Sequence, residues 1–170
     1  MHSCGRLHRA SGNLLRGIAA VMLVFSLMTP PAQAVGPQIK LARERTRATE
    51  PFKLKVFVSS NVPLGAYTLQ LSFDPSVLEL TSIDGGAAEF SAQPITNPEK
   101  FAGGVVRFSA FQPVKMNEPI GLCHVATVTL TPRAKKGSTR VEVEAVIIAD
   151  TLGSTYPPSK RHRTLRLRGR

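Results

Sequence analysis

Cys123 and His124 are adjacent and have side chains that covalent catalysis or metal binding can use. A thiolate beside an imidazole can act as a nucleophile with its base, and both side chains are common metal ligands. These two residues, however, fall within an alternating apolar and polar segment, and neighbouring residues of a strand point to opposite faces. We therefore predict a buried thiol beside a solvent-facing imidazole, and no site that the two share.

Glu142 and Glu144 stand two residues apart, which places both carboxylates on one face of a predicted strand at roughly 6–7 Å. Glycosidases hold their two catalytic carboxylates at a comparable separation. No segment nearby predicts a substrate cleft, so we interpret this pair as part of a solvated sheet face. The sequence also contains no nucleophile-elbow, P-loop, zincin or EF-hand pattern. We predict that the protein is not an enzyme, with no catalytic residue, cofactor or metal.

Three aspartates lie at predicted turns: Asp74, Asp84 and Asp150. They would bind calcium only if loops from different strands converged, since calcium takes six or more oxygen ligands. An aspartate at a turn also accepts hydrogen bonds from the turn's own backbone. Turn capping is the interpretation that we favour.

These residues are carried by short alternating segments that are separated by turn residues. In residues 67–73 the apolar side chains Tyr67, Leu69, Leu71 and Phe73 share one face, and the Asp74-Pro75 turn follows. Similar segments span residues 53–60, 77–83, 104–111, 122–132, 140–150 and 163–168, whereas residues 87–103 are polar and predict a long loop. No helical period longer than two turns interrupts this series, which predicts an all-β sandwich closed by a basic edge strand.

The alternation also predicts which residues face the core. In residues 53–60 it places Leu54, Val56 and Val58 inward. In residues 140–150 it likewise places Ala145 and Ile147 inward.

Residues 1–34 have the order of an export signal. A basic start is followed by the apolar residues 17–28 and by Ala32-Gln33-Ala34, an A-x-A cleavage sequence. The apolar run is shorter than the roughly 20 residues that span a bilayer. We predict cleavage after Ala34, export to the periplasm or the extracellular surface, and no stable membrane span afterwards. A basic segment, residues 35–49, then precedes the sandwich domain, residues 50–170.

The formal net charge of +11 is concentrated near the two ends of the predicted mature chain. Basic residues crowd residues 40–47 and 160–170, while the segment between them is close to neutral. The C-terminal basic tail contains no aromatic side chain on which a base would stack. We therefore expect no nucleic-acid partner, and a tail that solvates the chain end or contacts an anionic cell-surface polymer.

Three stretches together resemble the bacterial cohesin domain and its wider superfamily of carbohydrate-binding β-sandwiches. They are LQLSFDPSVLEL (69–80), GGVVRFSAF (103–111) and VATVTLTPRAKKGSTRVEV (125–143). They occur in the order expected of that family and extend over most of residues 50–155. The resemblance implies a jelly-roll or Ig-like β-sandwich of about nine strands, without a catalytic role, that binds a dockerin module of another protein or a polysaccharide.

The candidate binding residues are Arg107, Ser109 and Phe111, which the alternation places on the outward face of one strand. An arginine and an aromatic side chain on one face can anchor a partner. A register slip of one residue would instead bury Phe111.

Two functions follow as alternatives from the resemblance and these residues. One is an exported module that binds a dockerin-like protein module, and the other is a carbohydrate-binding module for cell-wall or extracellular polysaccharide. The chain has no Trp and only two Tyr residues, which weakens the second because flat glycan binders stack sugars on aromatic rings.

Overall fold

The computed structural model describes residues 36–44, 50–112, 119–134, 137–157 and 159–167. Those residues form ten β-strands and two 3₁₀ helices, Ala88–Phe90 and Pro98–Gly103. The strands are β1 (Gln38–Arg43), β2 (Phe52–Ser60), β3 (Leu64–Ser72), β4 (Leu78–Gly85), β5 (Ile95–Thr96), β6 (Val105–Phe111), β7 (Gly121–Pro132), β8 (Gly137–Asp150), β9 (Thr155–Tyr156) and β10 (Lys160–Leu167).

The strands form two antiparallel sheets that enclose one apolar core. The four-stranded sheet has the order β1-β2-β7-β4, and the six-stranded sheet has the order β10-β8-β3-β6-β5, with β9 paired to β8. The prediction of an all-β sandwich is confirmed. The described residues contain ten strands where about nine were predicted, and two of the ten have only two residues each.

The core follows the period-two pattern of the sequence. Leu54, Val56 and Val58 of β2 are all 0% exposed, as predicted. The predicted inward residues of the next strand, Tyr67 and Leu69 among them, are buried as well. Full burial of such a side chain contributes roughly 1.5–3 kcal/mol to the free energy of unfolding. Burial of the alternate apolar side chains in these strands is therefore the main source of stability.

A β-bulge in β8 overturns one predicted core position. Thr68 of β3 pairs with Ile147, but the next residue, Leu69, pairs with Ala145, so the residue between them is extra. The prediction that Ile147 faces the core was wrong: it is 47% exposed, and Ile148, at 1% exposure, is buried in its place. One inserted residue exchanges the two faces of a strand beyond it, and hydrophobicity alone does not locate the insertion.

A second bulge, in β7, places two consecutive residues in the core. Val56 of β2 pairs with Ala126 and Phe57 pairs with His124, which leaves Val125 without a partner on β2. Val125 and Ala126 are both 0% exposed. The backbone carbonyl of Val125 accepts a hydrogen bond of 2.8 Å from the hydroxyl of Tyr67 on the other sheet. The bulge therefore provides a polar link between the two layers.

The sandwich begins before the predicted domain boundary at residue 50. Strand β1 pairs with β2 along its whole length, and Ile39 is 4% exposed. Lys40 and Arg43 interrupt the apolar pattern of this short strand, which is why the sequence indicated only a basic segment. The predicted signal peptide and its cleavage site lie outside the described residues. Within the described ranges, no helix has the length and apolarity to cross a membrane.

Residues 87–103, predicted as a loop, carry both 3₁₀ helices and β5. Phe90 is 2% exposed, and its ring centroid lies 5.4 Å from that of Tyr67. The side chain of Asn97 caps the second helix by accepting a 3.0 Å hydrogen bond from the backbone N–H of Glu99. This passage is thus attached to the core and closes one side of the six-stranded sheet.

Candidate binding surface

The outer face of the six-stranded sheet carries all three predicted binding residues. Arg107, Ser109 and Phe111 point outward from β6, while Val106 and Phe108 on the other face of the strand are 1% and 0% exposed. Phe111 is 61% exposed, so the register slip that would bury it does not occur. The structure brings the three residues onto one surface, and their role in binding stays a prediction.

Cross-strand pairing adds two exposed isoleucines to this face, at the two ends of a row whose middle members are the hydrogen-bonded hydroxyl residues Ser109 and Thr68. Ile95 of β5 pairs with Ser109 of β6, and Ser109 pairs with Thr68 of β3. Thr68 in turn pairs with Ile147 of β8. The row therefore crosses four strands and ends on Ile95, 68% exposed, and on Ile147. No sequence signal marked either isoleucine, because one lies in the predicted loop and the other follows the bulge.

A second row of paired residues on this face is entirely polar or charged. Arg107 pairs with Gln70, Gln70 pairs with Glu144, and Glu144 pairs with Lys160. The guanidinium Nε of Arg107 donates a 3.0 Å hydrogen bond to the side-chain oxygen of Gln70. This bond holds the side chain of Arg107 along the sheet. Because that side chain is already ordered, less conformational entropy is lost when a partner binds.

We call this surface the outer sheet face and define it by eight of the outward residues of β3, β5, β6 and β8. These are Thr68, Gln70, Ile95, Val105, Arg107, Ser109, Phe111 and Ile147. Among the described residues, seven large hydrophobic side chains are exposed, and four of them lie on this face. These four side chains, Ile95, Val105, Phe111 and Ile147, lie on one sheet face around polar residues, and we call the four together the apolar patch.

An open groove of about 430 Å³ adjoins the outer sheet face. It is lined by Gln70, Asn97, Lys100, Val105, Val106 and Arg107. Two of these side chains are cationic and none is acidic. The groove therefore suits an acidic group that projects from a partner.

Glu142 and Glu144 are engaged in ion pairs on this sheet. The ammonium of Lys160 lies 2.7 Å from one carboxylate oxygen of Glu142 and 3.8 Å from one of Glu144. Arg140 lies 3.2 Å from the other oxygen of Glu142. The hydrogen bond from Lys160 lowers the pKa of Glu142 below its usual range. A carboxyl group that stays ionised in this way is unsuited to act as a general acid, which supports the interpretation of a solvated sheet face.

Cys123 and His124 do not form a common site. Cys123 packs against the core, and burial, with a smaller contribution from Glu89, raises the pKa of its thiol. The imidazole of His124 stacks near Phe57, and its Nε2 lies 3.1 Å from the carbonyl oxygen of Ala126. Burial lowers the pKa of His124. A protonated thiol and a locally hydrogen-bonded neutral imidazole do not make a nucleophile with its base.

The three aspartates form short-range hydrogen bonds. Asp150 accepts backbone hydrogen bonds from Leu152 at 2.9 Å and from Ser154 at 2.8 Å. Asp84 accepts a bond of 2.7 Å from the hydroxyl of Ser82. Within the ranges that the structure describes, no three His, Cys, Asp or Glu side chains come together as metal ligands would.

Ionisation of Asp74 should make the free energy of unfolding depend on pH in the acidic range. Its carboxylate accepts hydrogen bonds from the hydroxyl of Ser76 at 2.6 Å and the backbone N–H of Ser76 at 2.9 Å, and these bonds lower its pKa. A carboxylate with a lower pKa in the folded chain than in the unfolded chain, about 3.9, stabilises the fold above that value. The contribution is lost as the pH falls through the folded pKa.

We therefore expect Asp74→Asn to be less stable than wild type near neutral pH, with a difference that shrinks as the pH falls below about 4. Urea denaturation of both proteins across that range measures the difference. A difference that stays constant down to about pH 2.5 would contradict a role for the ionised carboxylate.

Comparison with solved structures assigns the fold. The cohesin module of a Clostridium perfringens family 33 glycoside hydrolase matches with a TM-score of 0.64 at 10% identity, covering 79% of this chain and 98% of that chain. A type I cohesin–dockerin complex from Clostridium thermocellum matches with a TM-score of 0.56 at 12% identity, covering 74% and 96%. A non-cellulosomal cohesin from the archaeon Archaeoglobus fulgidus matches with a TM-score of 0.55 at 16% identity, covering 77% and 90%.

This chain is therefore a cohesin-like β-sandwich, and the predicted likeness to cohesins is confirmed at the level of the fold. At the level of sequence, no family model matches the chain and no curated protein matches it.

Proposed function

We propose that this protein is a non-catalytic binding module that holds a dockerin-like protein module on its outer sheet face. The observation that carries the proposal is the set of four exposed apolar side chains on that face, with Phe111 at 61% exposure on the same strand and the same side as the fixed side chain of Arg107. An exposed apolar patch with a polar surround is typical of a protein interaction site. The cohesin of the similar Clostridium thermocellum structure is in complex with a dockerin, which supports this class of partner.

The patch has the composition of a small protein interface. Phe111 supplies a rigid aromatic anchor, and Ile95 on β5 and Ile147 on β8 supply further apolar contacts on either side of Ser109 and Thr68. Arg107 lies between the patch and the open groove, where it can pair with a partner carboxylate. Aromatic and arginine side chains of this kind carry most of the binding energy in protein interfaces.

Catalysis is not part of the proposal, because the glutamate pair is held in ion pairs and the thiol has a raised pKa. Nor do we pursue the polysaccharide alternative on the outer sheet face. Of the described residues on that face, Phe111 is the one with an aromatic ring, which does not make a stacking strip. Export of the protein is part of the proposal, and the basic, apolar and A-x-A order of residues 1–34 supports it.

Phe111→Ala should weaken binding of a dockerin-like partner by at least about tenfold. The variant removes the aromatic anchor, while a side chain that is 61% exposed contributes little to folding. Leu122→Ala is the matched control, since Leu122 is 57% exposed on β7 of the other sheet. It should bind like wild type.

The partner is first captured from the secreted and envelope fractions of the source organism, with and without calcium, and is then titrated by calorimetry. Calcium-dependent capture of a protein with paired calcium-binding loops, lost in Phe111→Ala and kept in Leu122→Ala, is the expected result. Capture that both variants reduce equally, or a partner without such loops, would refute the proposal.

A further inference from the structure

A second surface gathers positive charge at the side of the sandwich where β1 of one sheet meets β10 of the other. It is a groove of about 320 Å³ lined by Lys40, Leu41, Arg161, His162 and Arg163. Four of these five residues are basic and none is acidic. We name it the basic edge groove, and we propose that it binds an anionic polysaccharide.

The alternation of β10 explains why arginines line the groove. Leu165 is 2% exposed and packs into the core. Arg163 and Arg161, two and four residues earlier, point to the same side of the strand, and β1 lies beside them. The guanidinium of Arg163 donates a 3.1 Å hydrogen bond to the backbone carbonyl of Leu41 on β1. The fold thus fixes one cationic group in the groove and places a second next to it.

Within the described residues, three of the four basic residues of the groove have no acidic partner, and the fourth, His162, lies opposite Glu142 of β8. Lys160, on the outer side of β10, is paired with Glu142 and Glu144. In the described part of the chain, by contrast, no ion pair joins Lys40, Arg161 or Arg163 to an acidic side chain. Side chains of like charge held together without a counter-charge create a positive potential that attracts an anion.

Arg43, at the end of β1, adds to the excess of positive charge at this side of the sandwich. Its Nε is buried and has no hydrogen-bond acceptor among the described residues, and its guanidinium carbon lies 4.3 Å from the centroid of the Phe52 ring. Burial, and then repulsion from Arg163, lower the pKa of Arg43. An anion in the adjacent groove would offset that repulsion and supply acceptors for guanidinium donors.

The shape of the surface favours a linear polymer. Arg161 and Arg163 lie on the groove side of β10 at roughly 7 Å from each other by the rise of a strand, and Lys40 of β1 lines the same groove. A straight row of cations matches charges that repeat along an extended chain, and arginine binds carboxylate and sulfate groups in a bidentate manner. His162 is the one aromatic ring among the lining residues, and a single ring does not form the series of stacking platforms that single-stranded nucleic acid uses, which favours a polysaccharide.

The test uses two labelled polysaccharides, the sulfated heparin and the carboxylated polygalacturonate, in fluorescence anisotropy titrations at several salt concentrations. The groove variant is Lys40→Gln with Arg161→Gln, which keeps the hydrogen bond between Arg163 and Leu41. The control variant is Lys53→Gln with Arg133→Gln, which removes the same number of positive charges from exposed residues that do not line the basic edge groove.

We expect the wild type to bind at least one polysaccharide and the groove variant to bind it at least about tenfold more weakly, with a salt dependence shallower by about one to two units on logarithmic axes. The control should stay within about twofold, since its charges lie elsewhere. Thermal unfolding of both variants, unchanged from wild type, establishes that lost binding is not lost folding.

Equal weakening in the two variants would overturn the proposal, because net charge alone would then explain binding. Tighter binding of a single-stranded oligonucleotide of equal charge would overturn it in favour of nucleic acid, and no binding to either glycan would refute it. The proposal does not depend on the outer sheet face, so Phe111→Ala should leave polysaccharide binding unchanged.

Discussion

Tyr67→Ala should lower the free energy of unfolding by about 3–5 kcal/mol, the range for removing a buried aromatic side chain. Tyr67 is 2% exposed and lies at the centre of the core, with the ring centroids of Phe90 and Phe108 at 5.4 Å and 6.2 Å. The substitution removes these contacts and also leaves the buried carbonyl of Val125 without its hydrogen bond from the other sheet. Urea denaturation measures the change.

Tyr67→Phe separates the two parts of this effect. It keeps the ring and removes only the hydroxyl, so the expected loss is about 1–3 kcal/mol for one unsatisfied buried acceptor. Phe111→Ala serves as the control because it removes an exposed aromatic ring, and it should change stability by no more than about 0.5 kcal/mol. If Tyr67→Ala were as mild as Phe111→Ala, the packing described here for the core would be wrong.

Gly104→Ala should destabilise the sandwich by about 2 kcal/mol or more. Gly104 has a φ of +74°, and an added Cβ would lie 2.6 Å from the carbonyl oxygen of Phe73 and 2.8 Å from Cδ of Pro75. Neither neighbour can withdraw easily, because the first is backbone and the second is a ring in the Asp-Pro turn. The backbone N–H of Phe73 also donates a 2.8 Å hydrogen bond to the carbonyl of Gly104, and a shift would strain it.

Gly103→Ala is the matched control, one residue earlier in the chain. No atom lies within 4 Å of a Cβ added there, and its φ is not in the left-handed region. The change should be neutral or should stabilise the fold by up to about 1 kcal/mol, since alanine has fewer unfolded conformations. Equal effects of the two substitutions in urea denaturation would contradict the close approach at Gly104.

The contact at Gly104 also explains why two of the three cohesin-like stretches occur together. Residues 69–80 contain Phe73 and the Asp74-Pro75 turn, and residues 103–111 begin with two glycines, of which Gly104 packs against that turn. Each stretch is a common pattern for a strand with a turn. Their joint occurrence is more specific because the turn of one fits only against a residue without a side chain in the other.

The sequence by itself determined the fold class and most of the core. In β2, β3 and β6 strict alternation assigned each residue to its face, and the structure confirms the buried positions of Val56, Leu69 and Phe108. Alternation is reliable there because side chains of a regular strand point to opposite faces at every step. It also placed Phe111 outward, on the face where the patch lies.

Only the tertiary structure decided the composition of the two candidate surfaces. The outer sheet face gains Ile147 through a bulge in β8 and Ile95 through pairing of β5 with β6. The basic edge groove depends on the approach of β1 to β10, whose residues are more than a hundred positions apart. Bulges and pairings between distant strands are set by packing across the whole sandwich, and therefore no local pattern of residue types reveals them.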